Sequence, residues 1–167
     1  LQGGVVMTVE AGVEVSKPVE LVQVATSKGA QAVRNRIELG EGAKLRLLET
    51  FVGDTGEGEL NTVFDYDLAD KAALAATRLI VGKTDAAQLF TTIATLGAET
   101  ELKSLGFVAG PQFTRNQQFI NFTGENSEAK IYGVTMAGGK SLADQTLIVD
   151  HAVPHCNSRE FFKTVLD

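Results

Sequence analysis

The sequence predicts an all-β fold, a parallel β-helix (β-solenoid) with two strands and about 27–30 residues in each coil. Three observations lead there. Apolar and polar residues alternate along most of the chain, as where Val33, Ile37 and Leu39 flank Arg34, Arg36 and Glu38, the period-2 signature of a half-buried strand. A segment recurs without gaps, Gly97–Phe107 aligning on Gly124–Val134 at an offset of 27 with Gly, Glu, Lys and Gly identical at Gly97/Gly124, Glu101/Glu128, Lys103/Lys130 and Gly106/Gly133. Most connections between strands lack the 10–15-residue amphipathic helix that a βαβ unit requires.

Taken in order, Val5-Val6-Met7-Thr8-Val9 is a short β-branched run closed by Gly12. Val13, Val15, Val19, Leu21, Val22 and Val24 follow, with Pro18 between two short runs, where a strand edge or corner tolerates a missing N–H. Beyond Val33–Leu39, the turn at Gly40-Glu41-Gly42 leads into a strand that runs to Val52. Gly53–Gly58 holds three glycines in six residues and reads as a turn or loop. Leu60, Val63, Phe64 and Tyr66 resume the strand pattern. Ala69–Ala76 would suit a helix on propensity alone, but it continues without cap or break into Thr77-Arg78-Leu79-Ile80-Val81, so a strand is expected. Leu89, Phe90, Ile93 and Leu96 among Thr91, Thr92 and Thr95 again favour strand.

Turn residues Gly12, Gly40, Asp70, Gly97 and Gly124 are spaced by 28, 30, 27 and 27, and a further step of 27 places the next corner at His151. A second strand falls about halfway through each interval, at 33–39, 60–66, 89–95, 113–122 and 146–149. A fixed period in the range of roughly 20–50 residues marks a solenoid. The competing architecture is a two-sheet sandwich of regularly spaced hairpins. Against it, the chain contains no Asn-Gly or Asp-Gly hairpin turn. Residues 1–167 are thus expected to form a single β-helix core domain. Neither end shows an obvious cap, so the chain is expected to be truncated at both ends or to stack on a partner, a homodimer or larger assembly in isolation.

Composition narrows the function classes. Fifteen Lys and Arg against 21 Asp and Glu leave a net charge of −6, which argues against nucleic acid, whose binding rests on phosphate neutralisation. The absence of Trp and the presence of only two Tyr also argue against a base-stacking platform. No apolar run approaches the roughly 18 residues of a membrane span. Leu1-Gln2-Gly3-Gly4 lacks the features of a signal peptide, and a single cysteine precludes an internal disulfide, which favours a reducing compartment. Asn121-Phe122-Thr123 matches a glycosylation acceptor, but nothing else suggests secretion.

The candidate chemistry gathers in Asp150-His151-Ala152-Val153-Pro154-His155-Cys156-Asn157-Ser158-Arg159, which holds both histidines and the only cysteine. His151, His155 and Cys156 are weak candidate metal ligands, since imidazole and thiolate bind zinc, copper or an iron–sulfur centre. Pro154 prevents the two histidines from sharing a helical face, and one cysteine makes a complete zinc site within one chain unlikely to arise, leaving a site shared across an interface open. Cys156 beside His155 could act as a sulfur acceptor or, with His151 or His155 and Asp150 or Asp144, as a nucleophile. The plainer reading is a cysteine packed in a coil and two histidines at a turn. Asp65 and Asp67, two apart on one strand face, are the acid/base candidates of a β-helical polysaccharide lyase or hydrolase, and a solvated face is their plainer reading. Gly138-Gly139-Lys140-Ser141 ends like a P-loop but has Val134 where the motif needs glycine, so it reads as a β-turn.

Asp144-Gln145-Thr146 followed by Asp150–Lys163, together with Gly124–Gly133 and Leu39–Lys44, resembles the SufB/SufD family, most closely its SufD branch. The resemblance covers most of the chain and is strongest over Gly97–Asp167. It implies a right-handed parallel β-helix, and a non-catalytic scaffold subunit of a SufBCD-type complex that supports iron–sulfur cluster assembly and iron acquisition. It implies as partners a SufB-like paralogue and a SufC-like ATPase, in the bacterial cytoplasm or in plastids. No cofactor is expected to be held stably by this chain, the iron–sulfur cluster belonging to the assembled complex. The family's later Cys-Ser-His-Gly-Ala-Thr-type motif and its helical ends have no counterpart here, so their roles are not carried onto Cys156 or His151.

Overall fold

The computed structural model describes residues 3–25, 29–52 and 58–167. Those residues contain twelve strands and no helix: β1 (Val6–Val9), β2 (Val19–Val24), β3 (Ala30–Leu39), β4 (Lys44–Val52), β5 (Glu59–Leu68), β6 (Ala73–Val81), β7 (Ala87–Leu96), β8 (Glu101–Ala109), β9 (Phe113–Phe122), β10 (Glu128–Ala137), β11 (Leu142–Asp150) and β12 (Asn157–Leu166). Odd strands form one sheet in the order β1-β3-β5-β7-β9-β11, and even strands form the other in the order β12-β10-β8-β6-β4-β2. Every pairing is parallel and joins a strand to its equivalent one coil away. This is the β-solenoid expected from the repeat, and the absence of antiparallel ladders excludes the hairpin sandwich.

Stacking turns the alternation into internal columns. Ile37, Tyr66, Ala94, Ile120 and Val149 lie in register in the odd sheet, beside Val9, Leu39, Leu68, Leu96 and Phe122. In the even sheet Leu45, Leu74, Leu102 and Ala129 stack in the same way. These side chains make up most of the buried core. Burying a residue such as Leu68 or Leu96 contributes about 1.5–3 kcal/mol. Phe51, Phe64 and Phe90 close the space between sheets, with Phe51 and Phe90 centroids 4.5 Å apart.

Two expectations shift. The strand expected from Ala69 begins at Ala73, because Asp70-Lys71 form a corner, with Lys71 at a φ of 63° and its N–H bonded to Ala98 O. The coil step is not constant: it is 30 residues from Val6 to Arg36, 26 from Ala87 to Phe113 and 29 from Glu128 to Asn157. Residues 53–57 of the expected Gly53–Gly58 loop, and Leu1-Gln2, lie outside the described residues.

Candidate functional site

The corner between β11 and β12 carries the candidate ligands. His155 has a φ of 61° and occupies the corner position held by Gly12, Gly42, Lys71, Glu99 and Asn126 in the earlier coils. The last corner therefore falls four residues beyond His151, since the closing step is 29 residues and not 27. His151 instead extends an internal column: Asn121 pairs with Asp150, so His151 follows above Phe122, their ring centroids 4.9 Å apart. Its Nε2 lies 3.2 Å from Ser158 Oγ.

Cys156 takes the place of Ser127, Thr100, Ala72 and Ala43, each the residue just before a strand of the even sheet. Ser127 Oγ donates to Gly97 O at 2.6 Å and accepts from Thr100 N at 3.0 Å. Cys156 Sγ repeats the first contact one coil on, 3.4 Å from Gly124 O, and packs against the core. A corner that narrow needs a small side chain able to donate to the carbonyl below, and serine and cysteine both meet that need.

The three residues share a corner without converging. Among the described residues, no group of three or more His, Cys, Asp or Glu side chains is placed to hold a metal ion. The Cys156 thiol contacts carbonyl oxygens of Gly124 and Pro154, whereas His151 contacts Ser158. Asp144 is engaged elsewhere, accepting from Arg115 Nε at 2.8 Å.

The paired acids lie on the outer face of the odd sheet in ion pairs that bridge coils. Asp65 accepts from Arg34 Nε at 2.6 Å and from a terminal nitrogen at 3.1 Å, and Asp67 accepts from Arg36 at 3.1 Å. Asp65 in turn raises the Arg34 pKa, through the hydrogen bond first and its charge second. Gly138–Ser141 is a turn: Ser141 N donates to Gly138 O at 3.1 Å, Gly138 N donates to Ser141 Oγ at 2.9 Å, and Gly139 has a φ of 61°.

A cluster in the interior was not singled out from the sequence. Glu49 and Arg78 are adjacent in one column of the even sheet, which continues through Gly106 and Gly133 to Phe162. Arg78 Nε donates to Glu49 at 2.6 Å, with both side chains buried. Its terminal nitrogens donate to Asn116 Oδ1 at 2.9 Å and Thr92 Oγ1 at 3.0 Å, and its guanidinium lies 4.8 Å from the Phe64 ring centroid. Tyr66 O–H donates to the other Glu49 oxygen. Asn116 extends the network to Gln145 at 3.0 Å, and Ser104 donates to Gln118 at 3.0 Å.

Gly106 and Gly133 make this possible, since neither places a side chain in the column and the guanidinium can reach across to β9. Burial, then the Glu49 charge, pushes the Tyr66 hydroxyl well above its usual range. Burial alone would lower the Arg78 pKa, but Glu49 and Tyr66 raise it overall. Chemically this is a neutral, hydrogen-bonded pair that ties four strands together. The signal for it was present: Glu49 and Arg78 sit at positions where the alternation of Leu45, Leu47 and Phe51, and of Leu74, Ala76 and Ile80, demands an inward side chain.

A family model described as "SUF system FeS cluster assembly, SufBD core domain" matches residues 22–167. A protein named as an iron–sulfur cluster assembly SufBD family protein of Mycobacterium bovis is 26% identical over 164 residues, covering 96% of this chain and 40% of its own length. A SufBD family protein of Mycobacterium leprae is 22% identical over 165 residues, covering 99% and 42%. The iron–sulfur cluster assembly protein SufD of Escherichia coli is 23% identical over 166 residues, covering 96% and 39%. The chain thus spans about two fifths of the length of these curated relatives.

Proposed function

The chain belongs to the SufBD core-domain family of iron–sulfur cluster assembly, and on that premise we propose that it is a non-catalytic, SufD-like scaffold subunit of a SufBCD-type complex. Its partners in this reading are a SufB-like paralogue and a SufC-like ATPase, and the iron–sulfur cluster is the cargo of the complex. The setting proposed is the cytoplasm, or the plastid in a plant.

The observation that carries the reading is the continuity of the match over residues 22–167 with a solenoid whose contacts run from coil to coil. Such an array supplies a stiff, extended surface. Consistent with a scaffold, the acids Asp65 and Asp67 are held by arginines, and the Cys156 thiol fills a packing position repeated in earlier coils. The test is to purify the full-length protein with its SufB-like and SufC-like counterparts. A stable complex that supports ATP-dependent cluster assembly is expected. Failure of both complex formation and assembly overturns the proposal.

A further inference from the structure

The outer face of the even sheet is apolar where a solenoid's outer face is normally polar. Outward positions stack as Leu48, Thr77, Leu105, Tyr132 and Phe161, and next to them as Thr50, Leu79, Phe107, Val134 and Lys163. A third column holds Val81, Ala109, Met136 and Val165, of which Val81 and Met136 are each 50% exposed. Inward neighbours such as Ile80 and Val108 are buried, so the later halves of β6 and β8 are apolar on both faces. Continuous apolar runs of this kind are the pattern of parallel strands covered on both sides, which in α/β proteins is done by helices.

At the usual strand and residue spacings, three columns across five strands span about 20 by 24 Å, near 480 Å². That is at the upper end of what a soluble monomer leaves exposed. Shape also fits a helix. Ala73, Ala75 and Thr77 make β6 low between β4 and β8, and two shallow depressions of about 180 and 270 Å³ lie along it. The walls are two strand spacings apart, about 9.6 Å, close to the width of one helix.

One border of the patch is basic. Arg46, Ala75, Lys103, Lys130 and Arg159 form a single column in a chain of net charge −6. Lys103 and Lys130 are paired with Glu101 and Glu128, but the two outward columns at this border carry five cations, from Lys44, Arg46, Lys103, Lys130 and Arg159, against those two acids.

We propose that this face docks an amphipathic helix of a partner protein, its apolar stripe on Leu105, Phe107 and Tyr132 and its acidic flank along Lys103, Lys130 and Arg159. A second copy of the chain is disfavoured as occupant in one of the two face-to-face arrangements with in-plane two-fold symmetry, because it would set the basic columns against each other. The inference does not depend on the ATPase or the cluster, so loss of the scaffold reading would leave it intact.

The test uses the full chain and two fluorescein-labelled helical peptides of about 20 residues, a helix about as long as β6. Both carry a leucine stripe, one flanked by glutamates and the other by lysines. Anisotropy is expected to show saturable binding of the glutamate peptide about tenfold tighter than its twin at low ionic strength, the difference shrinking with salt. Leu105→Asp should abolish binding, and Lys103→Glu with Lys130→Glu should reverse the preference, with unchanged circular dichroism in both variants. Equal affinity for the two peptides, no binding to either, or binding indifferent to Leu105→Asp overturns the proposal. So does hydroxyl-radical protection of Tyr132 that rises with protein concentration, which would assign the face to a second copy.

Discussion

Arg78 donates to side chains on three other strands, Glu49 on β4, Thr92 on β7 and Asn116 on β9, so its removal leaves Glu49 buried without a counter-charge. Arg78→Met is expected to cost about 3–5 kcal/mol in urea denaturation, whereas Glu49→Leu combined with Arg78→Met should lose much less, because no charge is then stranded. Tyr66 gives a pH signature. Its pKa is raised in the fold, so below an unfolded value of about 10 both states keep the proton and the contribution to stability is complete. Above that, the unfolded chain ionises first and stability falls as pH rises. Tyr66→Phe should flatten this alkaline limb while costing about 1–3 kcal/mol at neutral pH, since Glu49 loses a donor. At Cys156 the expectation is conservative: Cys156→Ser should stay within about 0.5 kcal/mol, since Ser127 makes the same contact one coil earlier. Thiol labelling should be slower in the native than in the denatured chain.

Among the elements, the corners explain the repeated glycines. A Cβ on Gly124 would lie 2.1 Å from Ala98 N, a backbone atom that cannot swing aside, whereas one on Gly42 would meet nothing within 4 Å and would suffer only from the φ of 67°. Gly42→Ala should therefore cost about 1 kcal/mol, and Gly124→Ala more, both read from urea midpoints. Exposed Glu99, with a φ of 57°, is the converse case, and Glu99→Gly is expected to be neutral or stabilising by up to about 1 kcal/mol. The positions of strands were legible because alternation is a local property. The corners were less so, since Lys71, Glu99, Asn126 and His155 adopt a conformation that glycine usually marks.

For the whole molecule, stability is approximately a sum over coils and the interfaces between them. Hydrogen exchange should be slowest in β5–β8, which are covered on both sides, and fastest in β1 and β12, each with one neighbour. β12 presents ten residues of unpaired strand edge, as β11 does over nine, so self-association is expected at this end in isolation. Light scattering should show a dimer or larger species growing with concentration; a sharp monomer over a broad range would contradict it. End-to-end pairing of this kind leaves the outer face of the even sheet open.

The sequence by itself determined the fold class, the two strands per coil and the family, because alternation, turn residues and the Gly97/Gly124 repeat are written along the chain. It also carried the Asp150–Arg159 stretch as the family's mark. Only the tertiary structure decided what those residues touch. Coil steps drift between 26 and 30 residues, so a corner counted forward from Gly124 lands on His151 when the chain turns at His155. The column that joins Glu49 to Arg78 and leaves Gly106 empty exists only when residues 28 or 29 apart are stacked at one strand spacing. Register between coils is a property of the assembled solenoid, and it is register that made a salt bridge of two separate breaks in the pattern.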